Sequence, residues 1–325
     1  MNRLIAIMAN SSAMPWYINN FIPQVMYDNF NIHCYDTDNT YEVFSIYDEA
    51  AELNNFKFDD NVQTIVNLLN NNEYVLVHWD RFYVKQTTDY LCNHEYHEAL
   101  IYGYDSDKRV FYFHDSLINN KDYDIDEISY DDICLSLKDS IIRTQELEAT
   151  HWQFAFGHPF SSFSIRSNLP EINLRKIYHD FYTQLRGSEI EFNYEGGEKR
   201  KYYNGMMIFN GLELLLETLE KNITLTDFTQ GIWSIKLMSQ HVKSHTIRFK
   251  YLIDNGYFSN DQEIFNQIDR VSSKLLILFS LISKYTMTHI SRDLIRCREQ
   301  LLVIKEEYFN LLSRATNLIE TTMKK

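Results

Sequence analysis

Two rhythms of apolar and polar positions divide the chain. Up to about residue 169 short runs rich in β-formers predominate; beyond Pro170 apolar residues recur at helical spacing. Residues 1–9 (MNRLIAIMA) predict a short apolar helix, and Asn10-Ser11-Ser12 a turn. Pro15 suits the first turn of a second helix over residues 16–27, which Pro23 interrupts. Residues 31–40 and 41–47 read as extended, and residues 60–70 as an amphipathic helix. The segments YVLVHW (74–79), EALIYGY (98–104) and RVFYFH (109–114) predict strands. The last two flank Asp105-Ser106-Asp107-Lys108, a turn-forming stretch, and so predict a hairpin. Residues 122–129 read as an acidic loop, Ser129-Tyr130-Asp131-Asp132 as the start of a short helix to about residue 140, and residues 151–156 as a strand. Helical periodicity then covers residues 172–185, 205–221, 226–255, 261–284 and 289–322, with a charged separator at 187–201. The expectation is an α+β domain over 1–168 with an antiparallel sheet, followed by an all-helical domain over 169–325.

Composition narrows the class. A length of 325 residues fits two domains, and a hydrophobic content of 45% is enough for a real core. Only 9 glycines and 4 prolines make a β-sandwich with many tight turns a poor fit. The net charge of −14, with no long basic stripe, argues against nucleic acid and anionic membrane surfaces as partners. The four cysteines, Cys34, Cys92, Cys134 and Cys297, form no CxxC pair, which fits a reducing cytoplasm and gives no zinc motif. The apolar stretches at 4–8 and 275–282 are too short for a signal peptide or a membrane span. There is no GxGxxG, Walker loop, HExxH or GxSxG, and no cofactor or metal is expected.

The candidate chemistry lies in the hairpin. His97 stands at the entry of one strand and Asp115 at the exit of the next, and antiparallel pairing brings those ends side by side. A carboxylate there can accept from one imidazole nitrogen and leave the other as a base. The competing reading is two polar residues that merely cap loops, with His94 and His114 as bystanders. No nucleophile is evident: Cys34 reads as a buried strand thiol, Cys92 is too near His97 in sequence, and Ser11 and Ser12 read as a cap or turn pair. His78-Trp79-Asp80-Arg81 sits at a strand end, where Asp80 could orient a site residue, but an ordinary surface ion pair is the plainer reading. Lys236, His241, Lys243, His245, Arg248 and Lys250 read as a solvated basic face that could dock an acidic partner; His241 and His245 share a helix face but lack a third metal ligand.

Pro15-Trp16-Tyr17-Ile18-Asn19-Asn20-Phe21-Ile22, then Tyr96-His97-Glu98-Ala99-Leu100-Ile101-Tyr102-Gly103-Tyr104-Asp105, then Asp115, resemble the butirosin biosynthesis protein H-like family. Asn204-Gly205-Met206-Met207-Ile208-Phe209 and the helix around His241 and Arg248 are similar to its C-terminal part, so the resemblance covers most of the chain. It implies a papain-like N-terminal domain and a helical C-terminal domain. It also implies an acyltransferase of natural-product biosynthesis, carrying an acyl group from a carrier-protein phosphopantetheine thioester to an amine through a cysteine thioester. His97 would be the general base and Asp115 its orienter. In the family the cysteine opens the helix that matches residues 2–9, whose N-terminal end would aim at His97. This chain starts with Met1 there, so the expectation is a nucleophile encoded upstream; without one, a carrier-binding relative that is not an enzyme. A thioester hydrolase on the same scaffold is the third possibility.

Overall fold

The computed structural model describes residues 2–20, 22–33, 49–55, 62–121, 123–146, 160–193, 199–221 and 229–324. In chain order these form α1 (Asn2–Ala9), α2 (Met14–Asn20), β1 (Val25–Tyr27), β2 (Ile32–His33), β3 (Ala51–Asn55), α3 (Val62–Asn70) and β4 (Tyr74–Asp80). After them come β5 (Tyr96–Asp105), β6 (Val110–Ser116), β7 (Tyr123–Ser129), α4 (Tyr130–Glu146), β8 (Phe160–Ile165) and α5 (Leu174–Arg186). The chain ends with β9 (Ser188–Asn193), β10 (Lys199–Asn204), α6 (Ile208–Lys221), α7 (Thr229–Asp254), α8 (Gln262–Thr288) and α9 (Ser291–Met323). Cys34, the extended stretches expected beyond His33 and the strand expected over 151–156 lie outside the described residues.

The chain separates into two compact units, one of residues 1–15 and 39–169, the other of residues 16–38 and 170–325. Residues 16–38, grouped by the sequence pattern with the N-terminal domain, thus belong with the C-terminal unit.

The first unit is built on a six-stranded antiparallel sheet in the order β3-β8-β4-β5-β6-β7. The β5–β6 hairpin closes as its turn residues predict, with the backbone N–H groups of Asp107 and Lys108 donating to Asp105 Oδ1 at 3.0 Å. Residues 123–129 are not a loop. They are the edge strand β7, and its acidic residues fit because an edge strand of an antiparallel sheet can leave one face to solvent. Ser129 starts α4 as expected: its Oγ accepts from the Asp132 N–H. Ile65 and Leu68 of α3 and Ile133 and Leu137 of α4 share one core with Val75, Val77, Trp79, Ala99, Ile101, Phe111 and Phe113. These strand residues are alternate positions and therefore one face of the sheet.

The second unit is not all-helical. The stretch 187–201, expected as a charged separator, holds β9 and the start of β10, which pair antiparallel in a four-stranded sheet of order β2-β1-β10-β9. The charges alternate: Lys199 pairs with Glu191 at 2.8 Å and Lys201 with Glu189 at 2.5 Å, while Tyr202 and Tyr203 of β10 are buried. The long helices follow their apolar periodicity. Along α9, Leu294, Cys297, Leu301, Ile304, Tyr308, Leu311, Ala315 and Ile319 form a buried stripe. Asp261 caps α8 through the N–H groups of Glu263 and Ile264 and also takes a two-pronged bond from Arg314 of α9 at 2.8 and 2.9 Å. Among the described residues no helix is long and apolar enough to cross a membrane.

Gly205, after β10, has φ +56°, and a Cβ there would lie 2.1 Å from the Gln184 carbonyl oxygen. Gly256, just past α7, has φ +76° with nothing within 4 Å of a Cβ. In urea unfolding, Gly256→Ala should lose about 1–3 kcal/mol, the cost of the left-handed backbone alone. Gly205→Ala should lose clearly more, because backbone cannot move aside as a side chain can. Equal losses would show that the contact with Gln184 is not limiting.

Candidate functional site

The core face of the first unit becomes polar at one end. On β4 it runs Val75, Val77, Trp79; on β5 it runs inward from His97 to Ala99 and Ile101; on β6 it runs Phe111, Phe113, Asp115. Trp79 lies opposite His97 in the β4–β5 register, so three strands deliver Trp79, His97 and Asp115 to one place. His97 Nδ1 is 2.9 Å from Asp115 Oδ1, so the two side chains meet at the hydrogen-bond distance their strand ends suggest.

Asp115 is fully buried. Its Oδ1 accepts from His97 Nδ1, from Arg81 Nη2 at 2.9 Å and from the Ser116 N–H at 2.6 Å. Its Oδ2 accepts from Trp79 Nε1 at 3.2 Å and Arg81 Nε at 3.3 Å. Arg81 also donates to the Ser116 carbonyl at 2.6 Å and to Ser116 Oγ at 3.2 Å.

These contacts assign the imidazole proton. Nδ1 faces two oxygens, Asp115 Oδ1 and the Glu98 carbonyl, both at 2.9 Å, and both can only accept from it. Nδ1 therefore carries a proton, and in the neutral ring the lone pair is on Nε2. Ser116 Oγ, which accepts from Arg81, lies 3.4 Å from Nε2 with its own proton free to point there. The His97 side chain is 33% exposed, so a reactant can reach the ring. The arrangement is an oriented base whose orienting carboxylate is fixed from several sides.

Trp79, Arg81 and Ser116 are members of this site that spacing did not reveal. The available signal was parity: Trp79 shares the buried face of its strand with Val75 and Val77. The Asp80-Arg81 pair expected at the surface is buried, and its members point to different partners. Arg81 binds Asp115, while Asp80 Oδ2 lies 2.5 Å from His94 Nδ1. β4 ends at Asp80, which caps the 3-10 turn Arg81–Tyr83, and the change of backbone direction there parts the adjacent charges.

Other candidates take quieter places. Asn10 Oδ1 accepts from the Ser12 N–H and Oγ, so Ser12 belongs to the turn after α1. Cys92 is an exposed turn residue, Cys134 is half-buried on α4, and Cys297 is buried, its thiol pushed up to about 12 by burial. His114 is buried and its pKa lowered by desolvation.

The basic face expected on α7 exists only in part. His241, His245 and Arg248 are buried, as positions i, i+4 and i+7 of the inner stripe. His241 Nε2 donates to the Ile22 carbonyl at 3.1 Å; Arg248 donates to Ser244 Oγ and His245 Nδ1 and lies over the Tyr17 ring, 4.7 Å from its centre. Burial, aided by the Arg248 charge, pushes the His241 pKa down to about 3 and lowers that of His245.

A scan against protein-family models and a search of the curated proteins gave no match.

Removing one partner of a buried pair strands the other's charge. Asp115→Asn should therefore lose about 3–5 kcal/mol in urea unfolding, whereas the Arg81→Met/Asp115→Leu double variant should lose less than the sum of its singles. Strict additivity would mean the pair does not act as a unit.

For His241 the sign follows from the lowered pKa. The folded protein holds the ring neutral between 6.5 and about 3, while the unfolded chain takes up a proton, so stability falls as pH falls through that window. His241→Gln keeps an amide N–H near Ile22 and removes the titration. Its drop in Tm between about pH 7 and about pH 5 should be smaller than that of the native protein. An unchanged drop would place the acid sensitivity elsewhere.

Proposed function

We propose that this protein moves an acyl group from a carrier-protein thioester to an amine, with His97 as general base and Asp115 as the residue that orients it. The observation that supports this reading is the arrangement at His97: Nδ1 is committed to two acceptors, which in the neutral ring leaves the lone pair on Nε2, and the side chain is partly exposed. The papain-like reading of the first unit draws support from α1, the match to the thiol-bearing helix of the resembling family, which contacts β5, the strand of His97. In the reaction that the resemblance implies, a cysteine thiol beside the start of α1, where this sequence carries Met1 and Asn2, would give its proton to His97 Nε2. The thiolate bonds to the acyl carbon, and the pantetheine sulfur departs with that proton. The amine then adds to the new thioester, its proton passes to His97, and the protein sulfur leaves as the amide forms. A carrier protein and an amine are the partners, and a reducing cytoplasm is the setting that keeps such a thiol free.

One observation favours a second reading, a thioester hydrolase. Ser116 Oγ lies 3.4 Å from Nε2, where a hydroxyl nucleophile or a positioned water would be activated.

The test adds a cysteine directly ahead of Met1 and incubates that protein, with the present chain as control, with a panel of acyl-carrier thioesters and amines, amide and free acid being measured by mass spectrometry. His97→Ala should slow amide formation on the order of 10²–10⁴-fold, the usual worth of a positioned base. Ser116→Ala should leave amide formation near native but suppress hydrolysis if the second reading holds. Acyl transfer that proceeds equally without His97 would remove the base from the mechanism and with it this function.

A further inference from the structure

The short 3-10 turn Arg81–Tyr83 that sends Arg81 to Asp115 builds a second constellation with its other residues. Asp80, His94 and Asp139 each offer a ligand atom, and these atoms lie within 4.8 Å of one another. We infer that Asp80, His94 and Asp139 form a binding site for a divalent transition cation of the zinc class. The proposal is independent of the acyl-transfer reading, since none of the three touches His97 or Asp115 in the bonds described above.

The donor set fits that chemistry. Zinc takes imidazole nitrogen and carboxylate oxygen at roughly 2.0–2.2 Å, and sites with three protein ligands keep one position open. Asp80 is fully buried, yet beside it stands a second carboxylate, half-buried Asp139. A divalent ion would balance both, and it would take the place of the proton in the 2.5 Å contact between Asp80 Oδ2 and His94 Nδ1.

Each ligand is also held from behind, and every support comes from the same turn. The Phe82 N–H donates to Asp80 Oδ1 at 3.0 Å and leaves Oδ2 to face His94. The Phe82 ring stacks on His94 at 4.3 Å with an angle of 8° and fixes the imidazole plane. Tyr83 donates to Asp139 Oδ2 at 2.7 Å. Such outer supports are what an isolated surface cluster lacks and a built metal site has. His94 and Asp139 also line an open cleft of about 340 Å³ with Tyr96, Ile142 and Arg143, which gives an ion a route in and a free position facing solvent.

The test uses the full chain, stripped with chelator and titrated with Co(II) while the visible ligand-field bands are followed, then challenged with Zn(II). The expected result is one ion per chain, displaced by zinc. His94→Ala, at a residue whose side chain is 52% exposed, should fold and lose the bands; Asp139→Asn should weaken them strongly. Tyr83→Phe, which removes only a support, should weaken binding roughly 10–100-fold. Cys92→Ser should bind as the native protein does. The absence of bands in the native protein, native affinity in His94→Ala, or loss of binding in Cys92→Ser would each overturn the site.

Discussion

A carboxylate with no exposed surface must be met by donors from the protein, and Asp115 imposes that demand on the centre of the first unit. It is answered from three directions: the indole of Trp79 on β4, the guanidinium of Arg81 in the turn beyond β4, and the imidazole of His97 on β5. The backbone N–H of Ser116 adds a fourth. Satisfying one charge therefore ties together the ends of β4, β5 and β6, and it holds His97 in the tautomer whose free nitrogen can act as a base. The orientation of the candidate base is a by-product of burying its partner.

The same constraint shapes the segment next to it. Among the described residues β8 pairs with β4 over Tyr74–Val77, short of the last part of β4. α4 packs against that part, with Ser136 and Ser140 donating to the carbonyls of Asp80 and His78. That placement sets α4 beside the turn, brings Asp139 within reach of Tyr83 and Asp80, and so creates the second cluster. Trp79 and Asp80 point to opposite faces at the end of β4, and Arg81 follows in the turn that Asp80 caps. The result is two His–Asp pairs hung from one turn.

The second unit solves its polar problems differently. Gln24, Gln184 and Asn204 are buried and bonded in series: the Gln24 N–H donates to Gln184, whose amide donates to Asn204, and Tyr308 donates to Gln24. Arg248 sits among Ser244, His245 and the Tyr17 ring. These groups come from residues 16–38, β10 and the long helices, which accounts for the early segment folding with this unit.

Local pattern was enough for much of this. The amphipathic helices after Pro170, the β5–β6 hairpin with its Asx turn, the Ser129 cap of α4 and the approach of His97 to Asp115 all follow from periods of 3.6 or 2 and from turn chemistry acting over a few residues. Four readings failed where charge was taken as a sign of exposure, the buried Asp80-Arg81 pair among them. Residues 188–193 and 199–204 are paired strands whose charges pair across them; residues 123–129 are a strand because an edge tolerates acids; His241, His245 and Arg248 are buried because helix phase, not charge, decides which side faces inward. What only tertiary structure decided is which distant polar groups share a space: Arg81 with Asp115, His94 with Asp80, Gln24 with Tyr308. The sequence determined the periodicity and caps of each element, since those act between near neighbours. The pairing of buried charges depends on strand order, register and the placement of a helix beside a strand end, and these are properties of the assembled layers.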